Sequence, residues 1–216
     1  MPPIISIVGK SDSGKTTLLE DLITQLKQRG YKTAVIKHSA EDVELDVVNK
    51  DSWRFSQAGS VVSAISTTSK LAVFKNLERD LEPQELSQLI WSDCDLILTE
   101  GFKQSHHPKI EVHRKEQSKE LLSPSEQLIA VVTDEPLEIG VPQFSKDEVA
   151  RIVDLIESKL LTQTEGNNVD LFINDAYVPT NQSTKSLLFR TLLAMAFGIK
   201  ESKEMKNLRI SLRRKS

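Results

Sequence analysis

Residues 9–16 read Gly-Lys-Ser-Asp-Ser-Gly-Lys-Thr and fit G-x-x-x-x-G-K-S/T, a loop that wraps backbone N–H groups around phosphate. The motif is short, so its flanks decide what it means. Pro3 to Val8 carries Ile4, Ile5, Ile7 and Val8 and predicts a buried strand. From Thr17 to Gln28, apolar residues recur at Leu18, Leu19, Leu22, Ile23 and Leu26 with helical spacing, and Gly30 supplies a stop. Strand, glycine loop and helix is the order that phosphate binding needs, because N–H groups at the helix N-terminus converge on the anion and the helix dipole adds to the attraction. Gly9 and Gly14 let the backbone come close to the ligand. The nucleotide-binding set is therefore Gly9, Asp12, Ser13, Gly14, Lys15, Thr16 and Thr17. Lys15 is expected to reach the β- and γ-phosphates, and the Thr16 hydroxyl to ligate Mg²⁺. Lys10 stands where deviant P-loops of dimeric ATPases carry a signature lysine, but Ser11 and Asp12 replace the glycines usual there. An exposed loop lysine is the plainer reading.

The rest of the chain repeats the strand–helix alternation. Lys32–Lys37 predicts a second strand ending in Lys37-His38, Ser39–Asn49 a loop, and Asp51–Ala58 a short helix closed by Gly59. Ser60–Thr67 and Lys70–Asn76 predict a hairpin. Pro83 starts a helix that continues over Glu85–Trp91. Asp95–Thr99 predicts an apolar strand ending at Glu100-Gly101, and Ile110–His113 and Gln127–Thr133 further strands. Ser145-Lys146-Asp147-Glu148 is a capping box opening a helix with Val149, Ile152, Val153, Ile156 and Leu160 on one face. Such alternation after a P-loop predicts an α/β P-loop NTPase fold, a mostly parallel sheet with helices on both faces. Residues 1–162 form this nucleotide-binding domain. Residues 163–168 read as a polar linker, and 169–216 as a small C-terminal α+β extension of hairpin, helix and strand.

Ligands of open parallel sheets bind at the strand C-termini. Gly9, Lys37, His38, Glu100 and Asp134 should therefore gather at one edge, and Asp95 at the other. Glu100 closes an apolar strand as a Walker B acid does, where it can hold Mg²⁺ or orient the attacking water. Asp51 follows a loop that could act as a switch, giving it a second catalytic position; a helix N-terminal charge is the alternative. Asp134 could accept hydrogen bonds from the guanine N1–H and amino group, which adenine cannot donate. A turn aspartate before Glu135-Pro136 is the equal alternative. His38, His106, His107 and His113 lack metal-ligand spacing, and His106-His107 reads as a surface loop. Lys109, Glu111 and His113 alternate onto one strand face, either lining a ligand or simply wet.

Composition narrows the classes further. The formal charge is −3, but residues 200–216 hold seven basic and two acidic residues, a net +5 that leaves −8 on residues 1–199. This tail is a solvated end or a contact for an acidic partner or nucleotide phosphates. Seven Phe, two Tyr and two Trp offer little stacking surface for single-stranded nucleic acid. One cysteine, Cys94, excludes an internal disulfide. The most apolar stretch, Leu187–Ile199, is broken by Arg190 and too short to span a bilayer. With the chain entering its first strand at once, no signal peptide and a cytoplasmic location are expected.

Taken in order, Gly9–Thr17, Ile36-Lys37-His38, Lys50-Asp51-Ser52 with Arg54 and Ala58-Gly59, Leu98-Thr99-Glu100-Gly101-Phe102-Lys103 and Pro108-Lys109-Ile110-Glu111-Val112-His113-Arg114 resemble the molybdopterin-guanine dinucleotide biosynthesis adaptor family. The resemblance implies a homodimeric GTP-binding protein with weak GTPase activity and Mg²⁺ as cofactor. It implies an accessory role beside the molybdenum cofactor guanylyltransferase, with molybdopterin itself a candidate ligand. On this basis Lys15, Thr16 and Glu100 serve the phosphates and metal, while Lys37, His38, Arg54 and Lys103 line the cofactor or partner cleft. Asn49 stands where the family usually has glycine, and asparagine tolerates positive φ. A small-molecule P-loop kinase is the runner-up reading, but it needs lid arginines, and only Arg54 and Arg114 are placed for that. A metallochaperone GTPase is disfavoured by the single cysteine, and a degenerate nucleotide site by the intact Lys15 and Thr16.

Overall fold

Six consecutive buried residues, Ile4–Gly9 (β1), belong at the centre of a sheet covered on both faces. A computed structural model, which describes residues 2–39, 43–90, 94–161, 169, 171–173 and 176–197, places them there. After β1 come α1 (Lys15–Gln28), β2 (Thr33–Lys37), α2 (Asp51–Gln57), β3 (Val62–Ser66), β4 (Leu71–Lys75), α3 (Pro83–Leu89), β5 (Leu96–Glu100), β6 (Lys109–Val112), β7 (Leu128–Val132), β8 (Gln143–Phe144), α4 (Val149–Ile156), β9 (Leu171–Ile173), β10 (Ala176–Val178) and α5 (Gln182–Phe197). Six strands form one parallel sheet in the order β2-β5-β1-β6-β7-β8.

Strand alternation sends neighbouring side chains to opposite faces and so builds two cores. On one face Ile5, Ile7, Leu98 and Ile110 pack against Leu18, Leu22 and Leu26 of α1 and Ile152, Val153 and Ile156 of α4. Arg29, just past α1, clamps the two helices through Asp154 at 2.7 Å and Glu157 at 2.6 Å. On the other face Ile4, Ala34, Ile36, Ile97 and Phe102 meet Leu86 and Ile90 in and beyond α3. The α3 start carries a capping box between Glu82 and Glu85. Arg79 grips the same Glu85 with both guanidinium nitrogens, at 2.9 and 2.6 Å, and holds its carboxyl down at about 2.

Every strand and helix expected up to α4 is present, with two local differences. β8 was not expected: two residues give no periodicity, and it exists because Val131 and Val132 of β7 offer a free edge. The helix after Ser145 starts a turn later than the capping box suggests. Glu148 does reach back to the Ser145 N–H at 2.8 Å, but the first α-helical residue is Val149. That helix runs on through a π-helical turn at Glu157–Leu161.

The hairpin β3–β4 is antiparallel as expected and is separate from the main sheet. In the C-terminal extension, β9 and β10 pair antiparallel, and β10 touches α3. α5 begins two residues before its expected Thr184, whose N–H is taken by the Asn181 side chain at 2.9 Å. The linker at 163–168, the turn Asn174-Asp175, the final strand Leu208–Arg213 and the basic tail 200–216 lie outside the described residues. Among the described residues no helix is long and apolar enough to cross a membrane.

Candidate functional site

β1 delivers the glycine loop to the C-terminal edge of the sheet. Gly9 has φ 151°, and a Cβ there would lie 2.5 Å from the Val112 carbonyl oxygen of β6, so no other residue fits without moving backbone. Gly14, at φ 96°, turns the chain into α1. Among the described residues no side chain caps the first turn of α1, which leaves its N–H groups available to an anion. The Ser13 hydroxyl is buried beside them without a hydrogen-bond partner. A concave loop with an uncapped helix end and an orphaned hydroxyl fits a phosphate chain.

Lys15 folds back and donates from Nζ to the Lys10 carbonyl at 2.5 Å. Burial lowers its pKa; Lys103 and Lys37 act the same way, opposed by Glu100 and Asp12. Thr16 Oγ1 donates to Glu100 Oε2 at 3.1 Å, and Lys37 Nζ lies 3.3 Å from Glu100 Oε1. The sheet register makes this meeting inevitable, since Glu100 of β5 stands level with Lys37 of β2 and Ile7 of β1. A hydroxyl and a carboxylate converging beside this loop are oxygen donors of the kind that suits Mg²⁺. Thus Gly9, Gly14, Lys15, Thr16, Glu100, Lys37 and Lys103 cluster as the sequence suggests. Asp95 lies at the opposite edge, where its carboxylate accepts the Lys32 N–H at 2.8 Å.

The remaining candidates divide. His38 is not an open cleft residue. Its ring packs on Phe102 with centroids 4.5 Å apart, and its Nε2 lies 2.9 Å from Asp80. It therefore joins the end of β2 to the turn after Glu100. Asp51 and Arg54 lie on exposed α2, 3.9 Å from each other, and among the described residues neither bonds to the P-loop. Asn49 takes φ 68°, as its tolerance of the left-handed region allows. Sequence reasoning overlooked Asp46, which accepts the Ser52 hydroxyl and the Val47 N–H, both at 2.8 Å, and so closes the loop before α2. Asp134 follows β7 at the ligand edge. One of its oxygens accepts the Lys115 N–H at 3.1 Å, tying together the loops after β6 and β7.

Lys109, Glu111 and His113 do not form a wet face. They are at most 3 % exposed. The Glu111 carboxylate accepts the N–H groups of Leu122 and Ser123 at 2.6 and 2.9 Å, and His113 faces Glu135 at 3.6 Å. Lys109 donates to the Ser105 carbonyl and the Gln127 side chain, and burial lowers its pKa against the pull of Glu111. These residues pin the loops that cover the second face of β6. His107, expected on the surface, has a buried Nε2 with no partner. Burial, then Lys109 and His106, depress its pKa to about 4. Arg114, named from the sequence only as a possible lid arginine, has one guanidinium nitrogen 3.5 Å from where a Gly14 Cβ would be. Its place two residues past β6 brings it to this edge.

Residues 4–134 match the family model described as molybdopterin guanine dinucleotide synthesis protein B. The molybdopterin-guanine dinucleotide biosynthesis adapter protein of Haemophilus influenzae is 39% identical over 159 residues, spanning 73% of this chain and 89% of that protein. The adapter protein of the same name from Escherichia coli is 33% identical, over 72% of this chain and 92% of its own length. The crystal structure of Bacillus subtilis MobB superposes with a TM-score of 0.59 at 29% identity, covering 73% of this chain and 98% of that one. The family-model match ends at residue 134, before the C-terminal extension.

Proposed function

The chain belongs to the molybdopterin guanine dinucleotide synthesis protein B family, and from that premise we propose that it is an adapter in molybdopterin guanine dinucleotide synthesis that binds GTP with Mg²⁺, hydrolyses it slowly and assists the guanylyltransferase. The observation that carries the nucleotide reading is the convergence of Lys15, Thr16, Glu100 and Lys37 beneath the uncapped start of α1. Lys15 leaves the Lys10 carbonyl for the phosphates, and backbone N–H groups hold the remaining oxygens. Thr16 and Glu100 would hold the metal, which would neutralise phosphate charge. Glu100 would alternatively orient the attacking water. Lys37, freed from Glu100, supplies a further cation at the phosphate end.

Turnover should be slow. Arg54 is exposed and paired with Asp51, so α2 presents no arginine to the transferring phosphoryl group. P-loop GTPases lacking such a group turn over at roughly 10⁻⁴ to 10⁻³ s⁻¹. The test is equilibrium binding of GTP, ATP and their diphosphates with Mg²⁺, followed by single-turnover hydrolysis. GTP preference with slow turnover is expected. ATP preference with phosphorylation of a small acceptor would replace this reading with the kinase, and a brisk GTPase rate would count against an adapter.

We also propose that the protein is a homodimer joined through the β3–β4 hairpin. Val62, Leu71 and Val73 share one hairpin face and are all exposed. A self-complementary apolar face of this kind suits a two-fold pairing of identical chains. Val73→Lys should convert a wild-type dimer to monomer in sedimentation velocity. A monomeric wild type at micromolar concentration would rule the interface out.

A further inference from the structure

A nucleotide bound at the P-loop is longer than the loop, so it must extend over one flank of the sheet. The β5–β2 flank is taken by the metal-binding end, where Thr16, Glu100 and Lys37 meet. The nucleoside must then lie over the β6–β7 flank. This step rests on the nucleotide-binding reading above.

Three observations describe that flank. Arg114, two residues past β6, extends back over the P-loop until its guanidinium is 3.5 Å from the Gly14 Cβ position. Among the described residues, this guanidinium has no carboxylate partner. The loop that carries it is fixed at two points. Lys10 Nζ donates to the Gln117 carbonyl at 2.8 Å, and the Lys115 N–H donates to Asp134 at 3.1 Å. Beside the loop lies a shallow, open depression, which Arg114 itself does not line. Lys10, Lys115 and Lys119 line this depression together with Glu116 and Glu120, so its rim is not a polyanion trap.

We propose that Arg114 is a nucleotide-positioning residue whose planar guanidinium packs against the nucleobase, and that the Lys10–Gln117 and Asp134–Lys115 bonds hold it in place. A guanidinium suits this role because it is planar, weakly hydrated and stacks on aromatic faces, where a lysine ammonium does not. The role also gives Lys10 a function: it fastens the phosphate loop to the base-binding loop. Asp134 then serves base recognition first by fixing the backbone of the loop after β6.

The experiment measures binding of Mg²⁺ complexes of GTP, GDP and inorganic tripolyphosphate to the full chain carrying Arg114, Arg114→Ala or Arg114→Lys. A guanidinium over an aromatic face makes a cation–π contact, so Arg114→Ala should weaken GTP and GDP by roughly 2- to 30-fold. Tripolyphosphate affinity should not change, which also shows that the variant is folded. Arg114→Lys should not restore the loss. An equal loss for tripolyphosphate, or full rescue by lysine, would make Arg114 a phosphate charge and overturn the assignment. Unchanged GTP binding by Arg114→Ala overturns it alone, whereas a wild type that binds none of the three overturns it together with the nucleotide-binding reading.

Discussion

Affinity for Mg²⁺·GTP is expected to fall about 100-fold or more in Lys15→Ala, because hydrogen bonds from a cation to phosphate are each worth about 1.5 to 3 kcal/mol. The fold itself should hardly notice. Lys15 Nζ donates to the Lys10 carbonyl, a bond within the exposed loop that water can replace. The two effects separate in a thermal melt. Without nucleotide the variant should unfold at the wild-type temperature. With saturating Mg²⁺·GTP the wild type should gain stability in proportion to ligand concentration over Kd, and the variant should gain little. A variant that is stabilised like wild type would move the nucleotide away from the P-loop altogether.

The second large effect is on stability. Glu111→Ala removes a 1 %-exposed carboxylate that accepts the N–H groups of Leu122 and Ser123. Both donors lose their partner, and the nearby buried Lys109 loses the negative charge that favours its protonated form. Breaking a buried charged arrangement from one side costs about 3 to 5 kcal/mol. For a chain of this size that lowers the melting temperature on the order of 10 °C. Urea denaturation at pH 7 checks it. Glu111→Gln keeps one acceptor oxygen and should lose about half as much. If Glu111→Ala melted like wild type but bound nucleotide poorly, the carboxylate would be a ligand-binding group and not a structural pin.

Contrasting these two positions shows where sequence reading works. The positions of Lys15 and Thr16 were legible because they depend on local geometry: the order strand, glycine loop, helix puts both at the start of α1. Glu100 and Lys37 were legible one step further out. They end their strands, and a parallel sheet brings strand ends to one edge. Glu111 was not legible. Alternation places Lys109, Glu111 and His113 on one face, but only the path of the loop over residues 114–127 decides whether that face meets water, ligand or backbone N–H groups. The same holds for His38. Its strand-end position is apparent from the chain, but its packing on Phe102 depends on the positive φ values of Gly101 and Phe102 (105° and 54°), which bend the turn after β5 back over β2.

The sequence by itself therefore determined all the main-sheet strands but β8, their parallel pairing and the place of the glycine loop at the start of α1. These follow from apolar periodicity and from a motif whose parts are neighbours in the chain. It also carried the family, through the order of blocks from Gly9 to Arg114. Tertiary structure alone decided which polar side chains are buried pins and which face the ligand, and it brought Arg114 over Gly14 and Lys10 to Gln117 across a separation of 107 residues. The physical reason is that burial and hydrogen-bond partners of polar groups depend on loops, and loop paths have no periodicity for a sequence to display.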